Sequence, residues 1–136
     1  MKPLILPLML LAVPALPSFA DDWAVDGYDA VGFLESGRAM PGRSDIATTW
    51  KGQVWHFTSE ENRARFESDP RSFAPEFDGL CPVMLAAGRA EPGDPEYFTV
   101  FEDRVYLMRS DAALQEFTGD PQGILARAEQ NFARLK

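Results

Sequence analysis

The sequence predicts a small α+β domain in which short β-hairpins pack against several short helices. Two segments alternate apolar and polar residues on either side of a turn, which is typical of hairpins. Several other segments begin with residues that cap helices, and these helical segments follow the strands in irregular order. The chain has 136 residues, of which 46% are hydrophobic and 25% charged, as expected for one globular domain.

The first 20 residues are predicted to be a secretory signal peptide. Lys2 supplies a positive start, Leu4–Leu16 is apolar but too short to span a bilayer, and Ser18-Phe19-Ala20 offers small residues for cleavage. The domain is therefore predicted to occupy residues 21–136, in the periplasm or secreted, with no membrane association once the signal is removed.

Two hairpins are predicted in the remaining sequence. The first runs over residues 48–57 with its turn at Lys51-Gly52. The second pairs residues 97–101 with residues 105–108 around the turn Glu102-Asp103-Arg104.

Helices are predicted where a capping residue precedes an apolar segment. Ser59, Ser110 and Asp120 are N-cap candidates. Pro82 suits the first turn of a helix within residues 77–88, which Gly88 ends. No internal repeat is evident in this pattern, so we expect a single domain.

The cysteine and histidine counts exclude several kinds of site. Cys81 is the only cysteine and His56 the only histidine, so the chain forms no internal disulfide, no Cys/His structural zinc site and no c-type haem attachment. The net charge of −8 disfavours nucleic acid as a partner. A disulfide-linked dimer through Cys81 stays open.

Cys81, Met84 and His56 are the predicted metal ligands. Cys81 and Met84 form a C-x-x-M pattern, which on a helix places the two sulfur atoms on one face. Thiolate and thioether ligands select Cu(I), and imidazole also suits copper. Met108 or Met40 could supply a further sulfur ligand. The alternative is that the two sulfur residues fill the core and that a backbone group satisfies the histidine.

No catalytic residue is predicted. Cys81 and His56 are a formal nucleophile pair, but the sequence identifies no third orienting residue and no oxyanion loop. Adjacent carboxylates such as Glu60-Glu61 suit helix caps and turns rather than acid–base chemistry.

An ordered series of short motifs resembles the YHS-domain family and covers nearly all of residues 21–136. The motifs are Asp29-Ala30-Val31-Gly32-Phe33, Trp50-Lys51-Gly52, Trp55-His56-Phe57-Thr58-Ser59-Glu60-Glu61-Asn62, Phe66, Asp69-Pro70, Phe73-Ala74-Pro75, Asp78-Gly79-Leu80-Cys81, Ala86-Ala87-Gly88, Asp94-Pro95, Val105-Tyr106-Leu107 and Ala128-Glu129-Gln130-Asn131-Phe132. The resemblance implies a small α+β fold and, for some members, association with metal. It also implies cysteines at Thr58 and near Asn62, and both are missing here.

The leading hypothesis is a periplasmic or secreted YHS-like binding module that handles a soft metal ion such as copper through Cys81. The first alternative is a structural or protein-interaction module without metal, whose partner is another periplasmic protein. The second is a thiol-reactive enzyme that uses Cys81.

Overall fold

The computed structural model describes residues 2–3 and 22–136. It confirms the small α+β domain with two antiparallel hairpins. The predicted signal peptide lies outside the described residues, apart from Lys2 and Pro3. No helix in the described ranges has the length and apolar character needed to cross a bilayer.

The described strands and helices alternate along the chain. The hairpins are β1 (Arg43–Trp50) with β2 (Gln53–Phe57), and β3 (Phe98–Phe101) with β4 (Arg104–Leu107). The helices are α1 (Ala30–Glu35), α2 (Glu60–Ser68), α3 (Pro70–Phe73), α4 (Pro82–Ala86), α5 (Asp111–Gly119) and α6 (Pro121–Ala133).

Several boundaries differ from the sequence prediction. In the second hairpin, Arg104 lies in β4 rather than in the turn, and Tyr97 and Met108 lie outside the strands. The predicted helix within residues 77–88 is divided, because Phe77 and Asp78 take left-handed φ angles of 58° and 55° in a turn that precedes α4. The first strand begins earlier than predicted, because β1 continues through a bulge so that Arg43 pairs with Phe57.

The elements occur twice in the same order, which corrects the expectation of no internal repeat. A left-handed turn, a short helix, a hairpin and two helices form the first repeat, residues 24–73, and the same series forms the second, residues 76–133. Matched residues keep a constant spacing of 51 residues over most of this length. Identical pairs at that spacing are Leu34 and Leu85, Gly37 and Gly88, Arg38 and Arg89, Ala39 and Ala90, Pro41 and Pro92, Gly42 and Gly93, Thr48 and Thr99, Val54 and Val105, Ser59 and Ser110, Phe66 and Phe117, Asp69 and Asp120, and Pro70 and Pro121.

Backbone hydrogen bonds repeat as well. The Asp29 N–H donates to the carbonyl of Met40 at 2.8 Å, and the Cys81 N–H donates to the carbonyl of Glu91 at 2.9 Å. Each donor directly precedes the first helix of its repeat. Asp29 and Cys81 therefore occupy equivalent positions.

Each repeat also has its own aromatic core with the same geometry. The rings of Trp50 and Phe66 lie 5.7 Å apart at 89°, and those of Phe101 and Phe117 lie 6.0 Å apart at 89°. Such edge-to-face pairs add about 0.5–1.5 kcal/mol beyond the area they bury.

A third apolar cluster joins the two repeats. Phe33 of α1 is fully buried against Val105 and Leu107 of β4. Burying each such side chain stabilises the fold by about 1.5–3 kcal/mol. The placement of α1 therefore determines how the repeats dock.

Gly42 and Gly93 are matched glycines at which a side chain would collide with the neighbouring strand. A Cβ on Gly42 would lie 2.5 Å from the carbonyl carbon of His56, and one on Gly93 would overlap the backbone of Leu107. We expect Gly42→Ala and Gly93→Ala each to lower the free energy of unfolding by about 2 kcal/mol, measured by urea denaturation. Gly119→Ala is the control, because its Cβ would meet nothing within 4 Å. Equal stability of all three variants would contradict this close approach.

Candidate functional site

The carboxylate of Asp29 is fully buried and joins three elements. One oxygen accepts the backbone N–H of Val31 at 2.9 Å and so caps α1. The other accepts the backbone N–H and the hydroxyl of Thr58 and the side-chain amide of Asn62, all at 2.8 Å. The first repeat thus contains a satisfied polar network that links α1 to the start of α2.

The sequence analysis did not identify this network. An aspartate immediately before Ala30 is an N-cap signal for α1. The contacts with Thr58 and Asn62 join residues far apart in sequence, so no local pattern indicates them. Only the fold shows that the three side chains meet.

Cys81 occupies the position of Asp29 in the second repeat, and its surroundings are apolar. Its side chain is fully buried in a cluster with Tyr106 and Phe117. Pro82 follows it as the first residue of α4. The thiol is therefore enclosed by the core of the second repeat.

Two methionines belong to the same apolar cluster as Cys81. Met108 directly follows β4 and is fully buried, whereas Met84 lies on α4 and is half-buried. The Met84 sulfur is 3.4 Å from a guanidinium nitrogen of Arg89, which is exposed. The fold places Cys81 and Met84 in one cluster together with Met108, which the sequence analysis named only as a possible further sulfur donor.

His56, the third predicted ligand, lies in the first repeat. Its ring is 4% exposed and meets the ring of Trp23 edge-on, with centroids 4.5 Å apart. Gly27 also lies close to this ring, since a Cβ on Gly27 would be 3.3 Å from Nδ1 of His56. His56 therefore belongs to the first repeat, whereas Cys81 lies in the apolar cluster of the second.

The described residues contain no group of three or more histidine, cysteine or carboxylate side chains arranged to hold a metal ion. A metal site at Cys81 would therefore take its remaining ligands from methionine. Thioether ligands favour Cu(I) over the hard divalent ions.

An ion pair flanks the buried thiol. Glu91, whose carbonyl accepts the Cys81 N–H, holds the guanidinium of Arg109 with its carboxylate. The hydrogen bond from Arg109 lowers the pKa of Glu91, and the same bond raises the pKa of Arg109.

Replacing the buried carboxylate should destabilise the fold strongly. We expect Asp29→Asn to lower the free energy of unfolding by about 3 kcal/mol, because the amide keeps only one acceptor oxygen. Either the Val31 N–H or the donors of Thr58 and Asn62 then face an NH2 group inside the protein. Asp45→Asn is the control, since Asp45 pairs with Arg43 on the surface. Urea unfolding measures both, and a cost below about 1 kcal/mol for Asp29→Asn would contradict the role of the network.

Burial should also protect Cys81 from thiol reagents. We expect 5,5′-dithiobis(2-nitrobenzoate) to react about 100-fold more slowly with the folded protein than with the urea-unfolded chain, because modification requires local opening. The absorbance of the released thiolate gives both rates. A rapid reaction at pH 6 would instead support the thiol-reactive enzyme.

Comparison with models of known families, with curated proteins and with solved structures finds no match to this chain.

Proposed function

We propose that the chain is a secreted, periplasmic YHS-like binding module that handles a soft metal ion, Cu(I), through Cys81. The observation that carries the proposal is the presence of Cys81, Met84 and Met108 in one apolar cluster of the second repeat. One thiolate and two thioethers form a ligand set that selects Cu(I).

The polar network of the first repeat supports the family part of the proposal. Thr58 and Asn62 occupy the positions at which the YHS resemblance implies cysteines, and both side chains bind the carboxylate of Asp29. A metal site needs ligand side chains that converge on one point, as the side chains of Thr58 and Asn62 do. In this chain they form hydrogen bonds with Asp29 instead, so the proposal assigns the thiolate ligand to the second repeat.

Entry of the metal would occur through Met84. Cys81 and Met108 are fully buried, whereas Met84 reaches the surface beside Arg89. A guanidinium next to the sulfur repels a cation, so Arg89 would have to swing outward as the ion enters. Arg89 is exposed and has room to do so.

The alternative of a protein-interaction module without metal is favoured by the complete burial of Cys81. A thiol enclosed by aromatic rings is also what an inert core cysteine shows. In that case the sulfur residues fill space, and a periplasmic protein partner would bind elsewhere on the surface.

Competition for Cu(I) between the reduced protein and bicinchoninate separates the two functions. We expect one ion per chain, with affinity reduced at least 100-fold in Cys81→Ser and about tenfold in Met84→Leu and Met108→Leu, because each variant removes one sulfur ligand. Met40→Leu is the matched control, since Met40 lies beside Gly32 in the first repeat.

Failure of the protein to compete, or equal affinity of Cys81→Ser and the wild type, would contradict metal handling at this site. Circular dichroism confirms that each variant is folded. His56→Gln tests separately the prediction that His56 is a ligand. A weaker affinity for Cu(I) would make His56 a ligand, and an unchanged affinity would leave the sulfur atoms as the only protein ligands.

A further inference from the structure

A cleft of about 810 Å³ lies between the two repeats, away from the sulfur cluster. One wall is formed by the first repeat, at the turn Val25-Asp26 and the hairpin tip near Trp50. The opposite wall is formed by the second repeat, at the turn Phe77-Asp78 and at Arg104 of β4. The volume is in the range of small-molecule sites.

The backbone is strained on both sides of this cleft. Val25 and Phe77 are matched residues with φ angles of 54° and 58°. A β-branched or bulky residue rarely adopts this left-handed conformation. Such conformations persist where the surrounding structure enforces them, and they cluster at ligand sites.

The cleft carries charged side chains of both signs. Its lining includes four cations, Lys51, Arg71, Arg104 and Lys136, and three carboxylates, Asp26, Glu76 and Asp78. Arg104 pairs with Glu76, but the exposed guanidinium of Arg71 has no ion-pair partner among the described residues. This leaves a cation available to a ligand.

Aromatic rings lie beside two of these cations. The ammonium group of Lys51 is 4.8 Å from the ring centre of Trp50, and that of Lys136 is 4.7 Å from the ring centre of Phe132. Both rings line the cleft. A ligand there would meet a positive group and a flat apolar surface together.

From these features we infer that the cleft between the repeats binds a small anion that carries a flat apolar group. The anionic end pairs with Arg71, and the apolar body lies against the rings that line the cleft. This site is independent of the proposed metal site, since its lining includes none of Cys81, Met84 and Met108.

The probe for this inference is 1-anilinonaphthalene-8-sulfonate, whose fluorescence rises on binding. We expect saturable binding of one molecule per chain, and an affinity about tenfold lower in Arg71→Glu, because the variant replaces an attractive charge with a repulsive one. Arg127→Glu is the matched control, because Arg127 is exposed on α6 outside the cleft. This substitution changes the net charge of the chain by the same amount as Arg71→Glu. The uncharged analogue N-phenyl-1-naphthylamine should bind both variants equally.

Binding that does not saturate, or an equal loss of affinity in Arg71→Glu and Arg127→Glu, would overturn the inference. Urea unfolding midpoints equal to that of the wild type ensure that the dye reports on the folded state. The Arg71 side chain is exposed and makes no hydrogen bond among the described residues, so its replacement should leave the fold intact.

Discussion

The arrangement of the first repeat depends on the hydrogen bonds that the buried carboxylate of Asp29 accepts. It accepts hydrogen bonds from α1, from Thr58 at the end of the first hairpin and from Asn62 on α2. A buried charge is tolerated only when its hydrogen bonds are complete, so the network specifies one relative placement of these elements. Because Phe33 on α1 packs against the second hairpin, that placement also determines how the repeats meet and where the cleft between them lies.

The two repeats have side chains of different chemistry at the equivalent position before their first helix. The first has Asp29 and satisfies it with Thr58 and Asn62. At the matched positions the second has Cys81, Arg109 and Ala113, so no comparable polar network forms around the thiol. Arg109 instead points outward to Glu91. The first repeat therefore has a hydrogen-bonded carboxylate at this position, and the second has a thiol among methionines and aromatic rings. Of the two, only the thiol suits a soft metal ion.

Local signals in the sequence predicted much of the secondary structure. The hydroxyl oxygens of Ser59 and Ser110 cap α2 and α5, and Asp120 caps α6, as expected from their positions before apolar segments. The turns of both hairpins were also predicted, because charged residues and glycine interrupt alternating strands there. Cys81 and Met84 share a cluster as expected, although Cys81 is the extended residue before α4 and not part of the helix on which the expectation relied.

The features that were missed depend on tertiary contacts or on relations between distant residues. Identities between the repeats fall largely at turns and caps, where Gly, Pro, Ser and Asp recur in most proteins, whereas Trp55 in one core is matched by Tyr106 in the other. The left-handed turn at Phe77 was not predicted, because phenylalanine has no preference for that conformation. Met108 was named only as a possible further sulfur donor, since no local pattern shows that it shares a cluster with Cys81.

X-ray absorption spectroscopy at the copper edge tests the central claim most directly, because it identifies the atoms that bind the ion. Sulfur atoms alone around Cu(I), with the signal lost in Cys81→Ser, are the result expected from the cluster of Cys81, Met84 and Met108. Copper surrounded only by nitrogen and oxygen, or a spectrum unchanged in Cys81→Ser, would contradict metal handling by the second repeat.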